Sequence, residues 1–132
     1  MSTIFSKIIA REVAAQFIYE DEVCVVVMDK FPAINGQVLV IPRKEVDYAF
    51  DLDDETYTHI FKVAKRIAKA LDKIFDTTRT CLVVEGFEVP HVHIKLYPMT
   101  KADTNLAAAI DKSKEATDEC LQTQADQIKS VI

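Results

Sequence analysis

A polar–apolar alternation runs through Pro90-His91-Val92-His93-Ile94-Lys95-Leu96-Tyr97, which holds two of the chain's three histidines. Alternation with a period of two predicts a β-strand, because successive side chains of a strand point to opposite faces of the sheet. His91, His93 and Lys95 are therefore expected on one face, with about 7 Å between successive positions. The apolar residues between them would face the core, and Pro98 is expected to end the strand.

Two imidazoles and one ammonium on a strand face permit three interpretations. The face is simply solvated, since two histidines separated by one residue also occur by chance. Alternatively, His91 and His93 form a pair of metal ligands, which requires a third ligand from elsewhere. The remaining histidine, His59, is expected to be solvated on the polar side of a helix. In the third interpretation an anion such as a phosphate lies between the cationic groups, and a neutral histidine offers a nucleophilic ring nitrogen.

The segments before this strand predict further strands and one long helix. Residues 53–75 place apolar side chains at intervals of three and four, which is typical of an amphipathic helix, and Asp53 is expected to be its N-cap. A second helix is expected within residues 113–128, packed on the body or on a partner. Runs rich in β-branched residues predict strands at residues 23–28, 37–41 and 80–84.

Composition narrows the classes of protein to which the chain can belong. The 132 residues include 49% hydrophobic and 28% charged residues, which predicts one folded domain over residues 1–132. A net charge of −5 argues against wrapping of duplex nucleic acid. Three dispersed cysteines without a C-x-x-C pair argue against a disulfide framework and indicate a reducing compartment. No apolar run is long enough to span a membrane, so a cytoplasmic protein without membrane partners is expected.

The alternating segment resembles the signature of the histidine triad (HIT) superfamily, His-φ-His-φ-His-φ-φ, in which φ is apolar. Upstream blocks resemble the family in the same order, over about residues 3–100. They are the Ile-Phe-Ser-Lys-Ile-Ile of residues 4–9, the Tyr-Glu-Asp of residues 19–21 with its following strand, the Gly-Gln-Val-Leu-Val-Ile-Pro of residues 36–42, and the Phe-Asp-Leu of residues 50–52.

The resemblance implies an α+β fold, with a mostly antiparallel sheet, one long helix and a C-terminal helix. It also implies a homodimer that extends the sheet. The signature-bearing core would span about residues 3–100, and a helical extension would occupy about residues 101–132. Members of the family bind nucleotides, commonly purine nucleotides, and act at the α-phosphate through a nucleotidyl-histidine intermediate.

Carried over residue by residue, the resemblance makes His93 the nucleophile. The backbone carbonyl of His91 would orient the His93 ring, and the His91 side chain would support the site. Lys95 stands at the third signature position, which contacts the phosphate or the leaving group. Asp29 would bind the ribose hydroxyls. The residues implied for the apolar base pocket are Phe5, Ile8, Val13 and Val27.

Several positions depart from the family pattern. Lysine at position 95 is a donor only and does not readily shuttle protons. The approach loop, residues 84–90, lacks the family's amide donors and carries Glu85 and Glu88, which are expected in solvent. Thr3 and Ser6 stand where some members have zinc-binding cysteines, so no zinc and no cofactor are expected. Gln37 and Glu45 replace two further histidines found in many members.

The favoured function is hydrolysis, or transfer to another acceptor, at the α-phosphate of a nucleotide. The substrate would be a purine nucleoside phosphoramidate or a dinucleoside polyphosphate, with His93, His91 and Lys95 as the catalytic residues. Because Lys95 and the altered loop weaken the case for turnover, a nucleotide-binding sensor or scaffold without catalysis is the alternative. A metal-dependent enzyme that uses His91 and His93 is the third and least favoured class.

Overall fold

A five-stranded antiparallel sheet forms the centre of the protein, in the order β1-β2-β3-β5-β4. The computed structural model describes residues 2–132. The α+β prediction is confirmed: the antiparallel strands precede and follow a long helix in the chain, and further helices come after the last strand. The elements are α1 (Ile4–Ile9), β1 (Phe17–Glu20), β2 (Cys24–Met28), β3 (Val38–Pro42), α2 (Asp54–Phe75), β4 (Arg79–Val83), β5 (Ile94–Met99), α3 (Leu106–Ile110) and α4 (Asp118–Lys129).

The last strand differs from its prediction at both ends. β5 begins at Ile94, so His91 and His93 lie in the segment that leads into the strand. Pro98 lies within β5 rather than ending it, opposite Thr80 of β4. On the other side, β3 pairs with β5 no further than Leu96. Proline has no amide proton to donate to a neighbouring strand. It is tolerated at position 98 because no strand pairs with β5 there on the β3 side.

The long helix follows its prediction closely. Asp53 is the N-cap and accepts a hydrogen bond from the amide of Thr56 at 3.2 Å. Acidic residues lie in the first turn and Lys73 in the last, which complements the helix dipole. The apolar side packs against the sheet and contributes six residues to the main core. Its buried residues are Thr56, Ile60, Val63, Ala64, Ile67, Ala70 and Leu71.

The C-terminal segment packs on the same side of the sheet as α2. Leu121, Ala125 and Ile128 of α4 are buried in the main core. Of the two expected locations for this helix, the body of the protein and a partner, the structure shows the first. The helix starts later than the predicted residue 113, because Thr117 caps it by accepting from the amide of Cys120. Part of the preceding segment forms the separate short helix α3, capped by Asn105.

The opposite face of the sheet is covered by α1, a helix that was not expected from the sequence. Thr3 is the N-cap and accepts from the amide of Ser6. Phe5 and Ile8 of this helix are buried against the strands. The resulting second core contains Phe5, Ile8, Val25, Val27, Leu39 and Ile41. This cover over the strands creates the enclosed environment of the candidate site.

The loop between β2 and β3 depends on a glycine. Gly36 has a φ of +86°, a backbone conformation that side chains with a Cβ rarely adopt. A Cβ at this position would also overlap the ring of Phe75 at the end of α2. Glycine therefore lets the loop turn tightly against the long helix. None of the helices within residues 2–132 combines the length and the hydropathy that a membrane span requires.

Candidate functional site

His93 lies beneath α1 and is 5% exposed. Its ring meets the Phe5 ring edge-on, with 4.6 Å between the ring centroids. Its Nδ1 lies 2.8 Å from the backbone oxygen of His91. A carbonyl can only accept, so Nδ1 carries the proton and donates it there. In the neutral ring, Nε2 then keeps its lone pair, and the orientation expected from the resemblance is present.

The surroundings of His93 favour the neutral imidazole. Burial lowers the pKa of His93, because the charged ring loses hydration, and the positive charge of Lys95 acts in the same direction. The hydrogen bond to the His91 carbonyl and the charge of Asp29 oppose this shift without cancelling it. The net pKa is below the ordinary value for histidine, so the lone pair on Nε2 is available at neutral pH.

His91 is completely buried, and both of its ring nitrogens have partners. Nε2 donates to the backbone oxygen of Pro42 at 2.8 Å. Nδ1 is then the acceptor in this tautomer and receives the hydroxyl proton of Thr3 at 3.0 Å. The side chain therefore holds the end of β3 and the start of α1 together beside His93.

The interpretation of this segment as a solvated polar face is wrong. His91 and His93 are both buried because α1 packs over them, and both rings contact Phe5. Only Lys95 keeps partial exposure. The structure also does not bring His59 to this place, since that histidine belongs to α2 on the other side of the sheet. The fully occupied nitrogens of His91 fit poorly with a metal-ligand pair.

Thr3, Ser6 and Glu45 form a hydrogen-bonded group around the start of α1. The Glu45 carboxylate accepts from the amide of Thr3 at 3.2 Å and from the hydroxyl of Ser6. The hydroxyl of Thr3 in turn reaches His91. This chain of contacts ties the loop after β3 to α1 and to His91. The hydroxyl groups of Thr3 and Ser6 therefore occupy the positions where the resemblance places zinc-binding cysteines in other members, and the Glu45 carboxylate takes the place of a further histidine.

Asp29 follows β2 directly and supports the loop that leads to β3. One carboxylate oxygen accepts from the amide of Phe31 at 2.9 Å. The other accepts from the side-chain amide of Gln37 at 2.7 Å, while the Gln37 oxygen accepts from the amide of Ala33. Asp29 therefore caps the turn, as a structural role would require. Each carboxylate oxygen retains a second lone pair for a further donor.

Lys95 is paired with the approach loop. Its Nζ lies 3.1 Å from a carboxylate oxygen of Glu85. Burial alone would lower the pKa of Lys95, but the hydrogen bond to Glu85 and nearby negative charge outweigh it and raise the pKa. Glu85 is exposed, as expected, and its carboxylate also pairs with Lys95. The pairing could not be read from the sequence because it depends on the register of β4 and β5, which places Val83 opposite Lys95.

The four residues proposed for the base pocket lie in one cluster. Phe5 and Ile8 come from α1 and Val27 from β2, and all three are buried. Val13 is partly buried and packs against the same cluster. Their proximity agrees with a pocket wall and equally with ordinary core packing. Phe5 stands apart because its ring also contacts His93.

A second polar cluster lies on the α2 side of the sheet. Asp21, Cys24 and His59 place potential metal-ligand atoms within 4.8 Å of one another. Burial raises the pKa of the Cys24 thiol to about 12, so a thiolate ligand is disfavoured. His59, expected to be solvated, lies with Nε2 2.7 Å from Asp21 and is partly buried. The cluster acts as a hydrogen-bonded anchor between α2 and the turn after β1.

Known proteins resemble this chain in both sequence and structure. A model of the HIT domain matches residues 10–102. An uncharacterized HIT-like protein of Synechocystis is 39% identical over 101 residues, which cover 71% of this chain and 87% of that protein. A fission yeast bis(5'-nucleosyl)-tetraphosphatase is 28% identical over 96 residues, covering 69% of this chain and 53% of the yeast protein.

A solved structure extends the likeness over nearly the whole chain. The crystal structure of a HIT-like protein involved in cell-cycle regulation from Bartonella henselae superposes with a TM-score of 0.88 at 27% identity. The match covers 99% of this chain and 96% of the Bartonella chain. The domain match, the sequence relatives and the shared fold therefore agree, and the chain belongs to the HIT family.

Proposed function

We propose that the protein is a nucleotide hydrolase that acts at the α-phosphate through a covalent bond to His93. The observation that carries this proposal is the geometry of the His93 ring. Its Nδ1 proton is held by the His91 carbonyl, and burial keeps the ring neutral, so Nε2 is a nucleophile of fixed orientation. The resemblance to the yeast tetraphosphatase supports a nucleoside polyphosphate as one substrate class, with a purine phosphoramidate as the other.

The reaction would proceed in two steps at phosphorus. The Nε2 lone pair of His93 forms a nitrogen–phosphorus bond, and the bond from phosphorus to the leaving group breaks. Water then attacks the nucleotidyl-histidine, the electron pair returns to Nε2, and the nucleoside monophosphate is released. The ammonium of Lys95 would stabilise negative charge on the phosphate oxygens. His91 would act through its carbonyl and its fixed position.

Asp29 would hold the sugar of the nucleotide. Its carboxylate lies close enough to His93 and Lys95 for its charge to act on both. The free lone pairs of the carboxylate suit the two neighbouring hydroxyls of a ribose. The base would lie against Phe5, with Ile8, Val13 and Val27 behind it. This placement favours a ribonucleotide with an aromatic base.

The test is intact-protein mass spectrometry after mixing with adenosine phosphoramidate or a diadenosine polyphosphate. We expect a transient gain of one AMP and release of AMP from the wild-type protein. His93→Asn is the matched control, because its side-chain amide can still donate to the His91 carbonyl but offers no nucleophilic nitrogen. A 2',3'-dideoxy substrate should form the adduct more slowly, since Asp29 loses its partners.

A nucleotide-binding module without turnover is the second candidate. Glu85 favours it, because this carboxylate is bonded to Lys95 at the position where phosphate charge would be stabilised. Calorimetry separates the two candidates. Normal nucleotide binding without adduct and without AMP would select the binding module and contradict the hydrolase.

We also propose that the protein forms a homodimer that extends the sheet. β4 is an edge strand, so one side of its backbone has no strand partner within residues 2–132. Leu82 on this strand is 44% exposed and Phe87 just beyond it is 93% exposed. An unprotected edge with apolar side chains is suited to pairing with a second copy.

Analytical ultracentrifugation tests this arrangement. The wild-type protein is expected to sediment as a dimer, and Leu82→Lys as a monomer, because a charge at the edge strand opposes pairing. Circular dichroism should show that the variant keeps its fold. A wild-type protein that remains monomeric at every concentration would contradict the proposed dimer.

A further inference from the structure

The bond broken at the α-phosphate determines whether a proton donor is needed. When His93 attacks, the electron pair of the broken bond stays on the leaving atom. A phosphate or polyphosphate oxygen carries this pair as a stable anion. The nitrogen of a phosphoramidate is a much stronger base and requires a proton as the bond breaks, which is the task of a general acid. The groups around His93 therefore determine which leaving groups are accepted.

Two of the groups near His93 are not placed to give a proton to a leaving group. Asp29 is a carboxylate that accepts from Gln37 and from the amide of Phe31. His91 carries its proton on Nε2, which donates to the Pro42 carbonyl in the interior of the protein. Its Nδ1 accepts from Thr3. Neither side chain is placed to donate to a leaving group without losing these bonds.

The other two groups hold their protons too tightly. Lys95 lies in β5, two residues after His93. Its ammonium donates a hydrogen bond to the Glu85 carboxylate at 3.1 Å. This contact raises the pKa of Lys95 above the ordinary value for lysine, although burial alone would lower it. Tyr97, further along the strand, is 3% exposed, and burial raises the pKa of its hydroxyl. Both are weak acids at neutral pH.

Resting on the hydrolase proposed above, we infer that the Lys95–Glu85 pair restricts the substrate to nucleotides whose leaving group departs as an anion. The favoured class is the phosphoanhydride, as in a nucleoside polyphosphate, and phosphoramidates are disfavoured. The ammonium of Lys95 supplies a fixed positive charge to the phosphate, and its hydrogen bond to Glu85 keeps the ammonium protonated. The pair is thus a specificity determinant.

The favoured reaction balances without any added proton donor. A bond forms between Nε2 of His93 and the α-phosphorus, and the anhydride bond from phosphorus to oxygen breaks. The electron pair leaves on the oxygen of the departing phosphate. Water then displaces His93 from phosphorus, and the proton lost by this water passes to solvent. With a phosphoramidate the departing nitrogen would have to take its proton from the weakly acidic Lys95 ammonium or from solvent, which makes the first step slower.

Substitution at position 95 tests this specificity. Diadenosine triphosphate and adenosine phosphoramidate are compared by kcat/KM in the wild type, Lys95→His and Lys95→Gln. An imidazolium is a much stronger acid than an ammonium. Lys95→His is therefore expected to raise the ratio of phosphoramidate to anhydride cleavage by about 100-fold, the lower end of general acid catalysis. Lys95→Gln is the control, because it donates hydrogen bonds but has neither the positive charge nor an acidic proton, and it should lower kcat/KM for the anhydride without any gain in kcat/KM for the phosphoramidate.

A series of adenosine monophosphate esters of substituted phenols gives the second measurement. In the wild type, kcat/KM should fall steeply as the phenol becomes less acidic, and Lys95→His should flatten this dependence. A wild type that cleaves the phosphoramidate as readily as the anhydride, or an equal slope in both proteins, would overturn the inference alone. Absence of turnover for every substrate in all three proteins would overturn the hydrolase as well.

Discussion

His93→Asn is expected to lower kcat/KM for nucleotide cleavage by at least about 10⁴-fold, in the range observed when a covalent nucleophile is removed. The asparagine amide can replace the donor to the His91 carbonyl, so the site should keep its shape. What is lost is the Nε2 lone pair. Single-turnover kinetics with a diadenosine polyphosphate measure the effect, and calorimetry should show nucleotide affinity within a few-fold of the wild type.

The same step should depend on pH in one direction. Burial lowers the pKa of His93 in the free protein, so the ring is neutral above the ordinary histidine value of about 6.5 and remains neutral somewhat below it. Adduct formation should therefore be constant from about pH 8 to 6.5 and fall only at more acidic pH. Lys95 and His91 face His93 as well, but Lys95 stays protonated throughout this range.

Two results would contradict the assignment of His93. Turnover by His93→Asn within tenfold of the wild type would move the nucleophile elsewhere. A rate that already declines between pH 8 and 7 would show that the ring titrates at or above its ordinary value. Far-ultraviolet circular dichroism at each pH distinguishes either result from unfolding.

The periodic elements of the fold were predictable because their residues carry the pattern directly. The apolar residues of α2 recur every three to four positions, which indicates a helix. The Asp53 carboxylate can accept from a free amide of the first turn, so the helix begins where expected. β2, β3 and β4 lie within one residue of their predicted limits because β-branched runs are local signals. The role of Pro98 was misjudged. Whether Pro98 ends β5 depends on how far a neighbouring strand pairs, which is a property of the sheet.

The environment of the candidate site was less predictable. The alternation around His93 indicates two faces but not which face another element covers, and α1 has only six residues and weak helical periodicity. Its signal was present in the Thr3 cap three residues before Ser6. The pairing of Lys95 with Glu85 and that of His59 with Asp21 join residues 10 and 38 positions apart in the sequence, respectively. Such contacts depend on the folded chain.

Asp21→Ala is expected to lower the free energy of unfolding by about 2–3 kcal/mol, because the groups that it binds lose their acceptor. One carboxylate oxygen accepts from the amides of Val23 and Cys24 at 2.8 and 2.9 Å. The other accepts from the hydroxyl of Tyr19 at 2.8 Å and from His59 at 2.7 Å. Alanine leaves these donors facing a partly buried turn. Urea unfolding at neutral pH measures the loss.

The charge of Asp21 gives this contribution a pH dependence. Burial would raise its pKa, but the hydrogen bonds from Cys24, His59, Val23 and Tyr19 outweigh burial and hold the pKa well below the ordinary value. The folded protein therefore binds this proton less readily than the unfolded chain does. The stabilisation is complete above the unfolded pKa of about 3.9 and is lost as the pH falls further, toward the folded pKa.

Asp21→Asn separates the charge from the acceptor. The asparagine oxygen can still accept from the amides of Val23 and Cys24. The substitution removes the negative charge that faces His59. The variant should lose less stability than Asp21→Ala at pH 7, and its difference from the wild type should shrink as the pH is lowered from 5 to 3. The two curves approach each other because the unfolded wild-type chain takes up this proton below about pH 3.9, whereas the folded protein still resists it. A difference that stays constant over this interval would show that Asp21 stabilises the turn through shape alone.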